Sequence, residues 1–213
     1  FFEAIEQSNI SLTLAMFSTA AFFTSLLEPL FFKRKIIPYE VFLGFIVIAG
    51  VFIIFNAEFK YLSGIILGIF SAFFASLFSV LNGLLIKSDS AVKISFYEFI
   101  SGVFFISLYL YITSETNLII INDLFSLNYL YIFLLGSVCT AYAFIASVYL
   151  LKFISPYSVV LTYNLEPIYG IILAILFFGN DEKMSFAFYF GLFLILFSVI
   201  SNMYVKKINN KNI

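Results

Sequence analysis

Residues Pro156 to Phe178 have the sequence PYSVVLTYNLEPIYGIILAILFF, an apolar run of membrane-spanning length whose one acidic residue, Glu166, is followed directly by Pro167. At about 1.5 Å per residue, Glu166 lies about 13–14 Å beyond Tyr157, close to the middle of a hydrocarbon layer about 30 Å thick. A carboxylate at that depth costs at least about 2.5–3.5 kcal/mol, so its presence indicates a functional role. We therefore treat Glu166 as the leading candidate for a functional residue.

The proline after this acid predicts a break in the helix. Pro167 has no backbone N–H and leaves a carbonyl one turn earlier without its usual donor. In a membrane, such groups need partners inside the protein or in a water-filled cavity. We expect this part of the helix to face other helices or water and not lipid.

The composition is that of an integral membrane protein. The chain of 213 residues is 63% hydrophobic and only 11% charged, whereas soluble domains carry about 25% charged residues. It has no His and a single Cys, Cys139, which excludes a disulfide within the chain, a zinc site and a Cys–His catalytic site. Because no nucleophile stands near a base and no ligand cluster occurs, the sequence predicts no catalytic residues, no metal and no cofactor.

Apolar runs separated by short polar segments predict an all-α polytopic protein. The complete spans cover residues 11–32, 39–55, 61–86, 94–112, 129–150, 156–178 and 186–204. Residues 1–10 resemble the end of a further helix, so we interpret the chain as an N-terminally truncated fragment. Glu28, near the end of the first span, is interpreted as an interfacial carboxylate that reaches headgroups or the cations at 33–35.

One helix face in the third span carries small residues at four-residue spacing: Gly64, Gly68, Ala72 and Ser76. Small side chains at this spacing let helix backbones approach closely. Since such patterns are common in helical bundles, we interpret this face as a structural packing surface.

The cations are unequally divided between the loops on the two sides of the membrane. One side has nine: Lys33, Arg34, Lys35, Lys87, Lys93, Lys152, Lys206, Lys207 and Lys211. The other side has two, Lys60 and Lys183. Lys and Arg accumulate in cytoplasmic loops, so the C-terminus is predicted to be cytoplasmic.

The chain contains a weak internal repeat. A shift of 147 residues superposes Ser8-x-x-Ser11 on Ser155-x-x-Ser158 and Gly44 on Gly191, with span, break and span in register. Each copy has five spans, an odd number, so consecutive copies enter the membrane from opposite sides. The repeats are therefore inverted, as in many secondary transporters. We predict inverted five-helix repeats, with about seven complete transmembrane helices of ten present: residues 1–56 end the first repeat, 57–207 form the second and 208–213 are a cytoplasmic tail.

This plan resembles the EamA-type transporters of the drug/metabolite transporter superfamily. The matching residues are Ser155-Pro156-Tyr157-Ser158, LEPIYGIILAILFFG at 165–179, and Phe190-Gly191-Leu192 with the apolar run to Ile200. The family's acid after this turn is replaced by Asn180, and the first copy has Thr19-Ala20 where Glu166-Pro167 stand in the second. The resemblance implies a permease or exporter that moves small metabolites without ATP.

Three classes of function compete. A secondary transporter that moves a small organic metabolite by alternating access is the leading hypothesis, and a non-transporting or lipid-handling membrane protein of the same fold is the alternative. An intramembrane enzyme is disfavoured for the reasons given above. Seven polar residues mark a candidate substrate pathway, with Pro167 as the helix break: Glu166, Asn164, Tyr163, Thr162, Glu98, Asn82 and Tyr142.

The functional and structural interpretations of these residues remain open. Glu166 binds a substrate amine or titrates as the site opens, or else it is a protonated acid hydrogen-bonded to the carbonyl freed by Pro167 or to a neighbouring Tyr. Glu98, Asn82 and Tyr142 are also explained as ordinary helix–helix contacts. We expect a small-molecule substrate and the lipid bilayer as partners, no nucleic acid, and a bacterial inner (plasma) membrane as the location; a homodimer is left open.

The cation asymmetry predicts the sidedness of the loops. Cysteines engineered between Ser114 and Asn128 should react with a membrane-impermeant reagent added outside the cell, whereas cysteines at 33–35 should not. Labelling of the C-terminal tail from outside would contradict this orientation.

Overall fold

The computed structural model describes residues 1–33, 38–113, 127–163 and 165–209, which form helices and no strand. The α-helices are α1 Phe2–Glu6, α2 Ile10–Phe17, α3 Ala20–Phe32, α4 Pro38–Ala57, α5 Leu62–Leu85, α6 Ala91–Thr113, α7 Leu127–Leu134, α8 Ala143–Leu150, α9 Pro156–Tyr163, α10 Glu166–Phe178 and α11 Phe186–Asn209. A π-helical segment, Leu135–Tyr142, joins α7 to α8, and 3₁₀ turns lie at Phe59–Tyr61 and Gly179–Glu182. Asn164, the loop at 114–126 and the end of the predicted tail, 210–213, lie outside these ranges.

These helices agree with the predicted class of fold. Four of them are long and apolar enough to cross a membrane: Ile10–Phe32, Phe59–Leu85, Ala91–Thr113 and Tyr129–Leu150. Shorter apolar helices cover Phe42–Ala57, Glu166–Phe178 and Phe186–Asn202. The prediction of an all-α polytopic membrane protein is confirmed. The chain forms two units, Phe1–Leu81 with Ser155–Ile213, and Asn82–Ile154; the predicted repeat boundaries stay a prediction.

The first unit contains two broken helices that pack against each other. Helices α2 and α3, of 8 and 13 residues, follow each other across a short break, and α9 and α10 have the same two lengths. Helix α10 packs on α2, whereas α3 packs on α9. Each half of one broken helix therefore lies against the opposite half of the other, which makes the two an antiparallel pair.

The first of these breaks occurs without a proline at the position of Pro167. At the end of α2, Ser18 Oγ donates to the carbonyl of Leu14 at 3.0 Å, and Thr19 Oγ1 donates to that of Met16 at 2.7 Å. Hydroxyls that bond back to carbonyls of the preceding turn compete with the helical hydrogen bonds and bend the chain. The absence of the family's proline therefore does not abolish the break in the first span.

A second antiparallel pair, α4 and α11, is joined through two glycines. A methyl group added at Gly50 would lie 2.7 Å from the carbonyl oxygen of Gly191, and one added at Gly191 would lie 2.7 Å from that of Gly50. Ser198 Oγ also donates to the carbonyl of Leu43 across this interface at 2.7 Å. The close approach of the two backbones is thus set by the absence of side chains at both glycines.

The predicted packing face of the third span is confirmed. A methyl group at Gly64 would lie 2.5 Å from the Cβ atom of Ser8, and one at Gly68 would lie 2.8 Å from that of Met16. Further along α5, Ser76 Oγ donates to the carbonyl of Ala20 at 2.7 Å. This face holds α5 close to α2 and α3.

The second unit is built from α6 and from the continuous span formed by α7, the π-helical segment and α8. Helix α6 packs on α8, with the rings of Phe99 and Phe144 5.0 Å apart. Within the π-helical segment, Thr140 Oγ1 donates to the carbonyl of Leu135 at 2.8 Å. Most large apolar side chains of these helices are exposed in the described chain, as expected for surfaces that meet lipid.

The glycine contact between α4 and α11 predicts a strong effect of one methyl group. Gly191→Ala should destabilise the fold by about 1–3 kcal/mol, because backbone lies against the new group and cannot move aside cheaply. The measurement is the thermal unfolding of the purified protein in detergent. Gly102→Ala is the matched control, since no described atom lies within 4 Å of the added group; equal destabilisation by both variants would contradict this account.

Candidate functional site

Glu166 is the first residue of α10, and Pro167 lies in its first turn. Both residues follow Leu165, a turn residue outside the two helices, and Tyr163 is the last described residue of α9. A proline in the first turn loses no helical hydrogen bond, since the N–H groups there have no partner within the helix. Pro167 thus marks the start of the second half-helix and does not interrupt it.

This position changes the electrostatics expected for Glu166. The N-terminus of a helix carries a partial positive charge, which favours a carboxylate in the first turn. Within the described residues the Glu166 side chain is exposed and forms no hydrogen bond. The partial positive charge at the start of α10 therefore stabilises the carboxylate, and the side chain remains accessible.

One face of α10 is packed and the opposite face is open. Pro167, Ile171 and Ala174 are buried, and Gly170 lies in contact with Leu14 of α2. Tyr169, in contrast, is exposed together with Glu166. The acid thus lies on the face of α10 that the described residues leave uncovered.

The other candidates on this span lie beside the break. Thr162 and Tyr163 are both exposed at the end of α9, and Thr162 Oγ1 donates to the carbonyl of Ser158 at 3.1 Å. Asn164 lies outside the described residues. The structure therefore brings Thr162, Tyr163 and Glu166 together on consecutive short segments around one break.

Two further candidate residues, Asn82 and Glu98, form a hydrogen bond with each other in the second unit. Asn82 is 1% exposed, and its Nδ2 donates to Oε1 of Glu98 at 2.9 Å. The other carboxyl oxygen of Glu98 is buried and has no partner within the described part of the chain. The contact connects α5 to α6, in agreement with the interpretation of this pair as a helix–helix contact.

Tyr142 is not part of that contact. It ends the π-helical segment, is 71% exposed, and its hydroxyl forms no hydrogen bond to a described residue. The interpretation of Tyr142 as a satisfied helix–helix contact stays a prediction.

Three acids outside the candidate substrate pathway are buried and bind backbone N–H groups. Glu28 accepts from Tyr157 at 3.0 Å, Glu58 from Ser185 at 3.1 Å, and Glu182 from Ile10 and Ser11 at 3.1 and 2.9 Å. Glu28 is 5% exposed and accepts from a backbone N–H in the first turn of another helix, a partner that its interpretation as an interfacial carboxylate did not include. The only signal in the sequence is an acid near a helix end, and it does not reveal a partner far along the chain.

The described residues offer no obvious metal centre, since no group of three or more His, Cys, Asp or Glu side chains occurs among them. The chemistry available near the α9–α10 break is that of one carboxylate, two hydroxyl groups and a second tyrosine. Groups of these kinds are able to bind and orient a polar solute by hydrogen bonding and charge.

The helical architecture and its apolar spans define the chain as an integral, polytopic helical membrane protein. A sequence model of the EamA-like transporter family matches residues 62–204, more than half of the chain, and the chain belongs to that family. Membership places it in the drug/metabolite transporter superfamily and supports a transporter-like function. No curated protein sequence and no solved structure gives a significant match.

The Asn82–Glu98 contact predicts an asymmetry between two substitutions. Asn82→Leu removes the donor and leaves Oε1 of the partly buried Glu98 without its partner, which costs about 1–3 kcal/mol. Glu98→Gln keeps an acceptor at the same place and should cost less. Thermal unfolding in detergent measures both, and Asn56→Leu, at an exposed residue that bonds only within its own helix, is the control. A larger loss for Glu98→Gln than for Asn82→Leu would contradict the contact.

Proposed function

We propose that the protein is a secondary transporter that moves a small organic metabolite across the bacterial plasma membrane by alternating access. The pathway runs past the break between α9 and α10, and Glu166, with Thr162 and Tyr163, contacts the solute. The supporting observation is the combination of an acid at the start of an inner half-helix with an open face around it, inside the segment that the family model matches.

A discontinuous helix suits this task for a physical reason. The start of a half-helix presents a concentrated partial charge and unpaired backbone groups near the middle of the membrane, where substrates of many transporters bind. Because the break separates α9 from α10, one half can shift while the other stays packed. The solute is then released to either side without a continuous open pore.

The charges on the spans favour a neutral, zwitterionic or cationic solute. None of the predicted spans has an interior Lys or Arg to pair with a phosphate group, and a buried dianion needs such partners. The positive end of α10 is also already occupied by Glu166. A substrate amine paired with this carboxylate agrees best with both facts.

The cation asymmetry supports an orientation in which the C-terminus is cytoplasmic. In that orientation α9 begins at the cytoplasmic side and α10 ends at the outer side. The direction of net transport follows from the gradients of the solute and of any coupled ion.

Glu166→Gln tests this function. The variant keeps the shape and one acceptor but removes the charge, so uptake of an amine substrate into proteoliposomes should fall at least about tenfold, as expected when a charge-assisted hydrogen bond is lost. The pH profile of transport should also change. The substrate is first identified by thermal shift with a panel of amino acids, amines and sugar phosphates.

Glu6→Gln, at an exposed acid outside the membrane spans, is the matched control and should transport normally. Unchanged uptake and an unchanged pH profile in Glu166→Gln would contradict the role of this acid. Binding of a sugar phosphate would contradict the substrate class, and movement of labelled lipid without any soluble substrate would favour the lipid-handling alternative.

A further inference from the structure

The two broken helices are tied together by carboxylates at both ends of their antiparallel pair. At one end, the two oxygens of Glu182 accept from the N–H groups of Ile10 and Ser11, which begin α2. At the other end, Oε2 of Glu28 accepts from the N–H of Tyr157, in the first turn of α9. Both acids are 5% exposed, so these bonds are shielded from water.

The partners of the two carboxylates follow one rule. Glu28 belongs to α3, the long half of the first broken helix, and binds the short half of the second. Glu182 ends the 3₁₀ turn that follows α10, the long half of the second broken helix, and binds the short half of the first. Each short half is thus fixed at its outer end by the long half of the opposite helix or by the turn that follows it.

The two ties are far apart. At about 1.5 Å per residue, Ser11 and Glu28 are separated by roughly 25 Å along the first broken helix, so the two ties lie at opposite ends of the pair. A carboxylate at the start of a helix is stabilised by the partial charge of that end and by charge-assisted hydrogen bonds. Such bonds are strong enough to hold an end closed, and they are lost completely once the ends separate by a few ångströms.

We propose that Glu28 and Glu182 are positioning residues whose hydrogen bonds, here called clasps, hold the two broken helices together at opposite ends. The pathway opens at the end where the carboxylate has lost its hydrogen bonds. This inference rests on the proposed alternating access. While one clasp is closed, its short half stays in place and the hinge at the other break carries the movement. Loss of one clasp then shifts the protein towards the state that is open at that end.

A third carboxylate provides a contrast within the same unit. Glu58 is 4% exposed and accepts from the N–H of Ser185, just before α11, at 3.1 Å. It joins α4 to α11, the unbroken pair that Gly50 and Gly191 hold in close contact. Loss of this bond lowers stability but leaves the balance between the two ends unchanged, because neither helix contains a hinge.

The test measures the accessibility of two reporter cysteines in the full chain, purified in detergent after Cys139→Ser. Ser11→Cys reports on the Glu182 end, where Ser11 Oγ lies 3.3 Å from the carbonyl of Glu182. Ser25→Cys reports on the Glu28 end, where Ser25 lines a small cavity beside Tyr157. Both serines are buried, so a water-soluble maleimide reacts only when the corresponding end opens.

Glu182→Ala should raise the labelling rate at Ser11→Cys about tenfold and lower it at Ser25→Cys, and Glu28→Ala should do the reverse. The double variant Glu28→Ala/Glu182→Ala should bring both rates back towards those of the parent. Glu58→Ala should lower the melting temperature without changing the ratio of the two rates. Glu182→Gln, which keeps one acceptor, should lie between the parent and Glu182→Ala.

Rates that rise together at both reporters, or that do not change, would overturn the proposal, because both outcomes belong to a purely structural role. A Glu58→Ala variant that shifts the ratio as strongly as Glu182→Ala would overturn it as well. The labelling needs no substrate. Opposite shifts in a protein that transports nothing would therefore retain the clasps and reject the transport function, whereas transport with unchanged labelling would reject the clasps alone.

Discussion

The structure depends on one constraint of the membrane interior: each backbone N–H and C=O group must find its partner within the protein or in enclosed water. A continuous helix meets this constraint by itself, but a broken helix adds two ends inside the span. The chain satisfies part of that requirement locally, through the hydroxyls of Ser18 and Thr19. At the outer starts of α9 and α2, away from the breaks, the backbone N–H groups find partners over long distances in the chain, in the carboxylates of Glu28 and Glu182.

The same constraint explains why the acid in the middle of the sixth span is tolerated. Glu166 is placed at the beginning of α10 and not in the interior of an unbroken helix. There the partial charge of the half-helix offsets part of the cost of burying a carboxylate. Its side chain is exposed, as are those of Thr162 and Tyr163. The break and the acid therefore belong together, because the helix start that the break creates supplies the partial positive charge that stabilises the carboxylate.

The helices of the first unit divide into a fixed pair and a hinged pair. Helices α4 and α11 are unbroken and meet backbone to backbone at Gly50 and Gly191, so a small movement between them creates a clash or a gap. The pair formed by α2–α3 and α9–α10 has a break in each member and a polar tie at each end. The hydrogen bonds of the carboxylates are directional and are lost at a small displacement, whereas the close packing of two backbones resists displacement along the whole contact. A transporter needs both kinds of contact.

The sequence by itself determined the elements whose causes are local. Apolar run lengths gave the span Tyr129–Leu150 at its correct bounds, and the spacing of Gly64, Gly68, Ala72 and Ser76 gave the packing face of α5. The motif around Glu166 indicated the family that the match at residues 62–204 confirms. Only the tertiary structure decided that Glu28 binds Tyr157, that Glu182 binds the start of α2, and that the first span breaks without its proline. The physical reason is that a carboxylate near a helix end has the same local pattern whether it faces water, headgroups or a distant backbone N–H. Packing selects among these partners, and it brings together residues that are far apart in the chain.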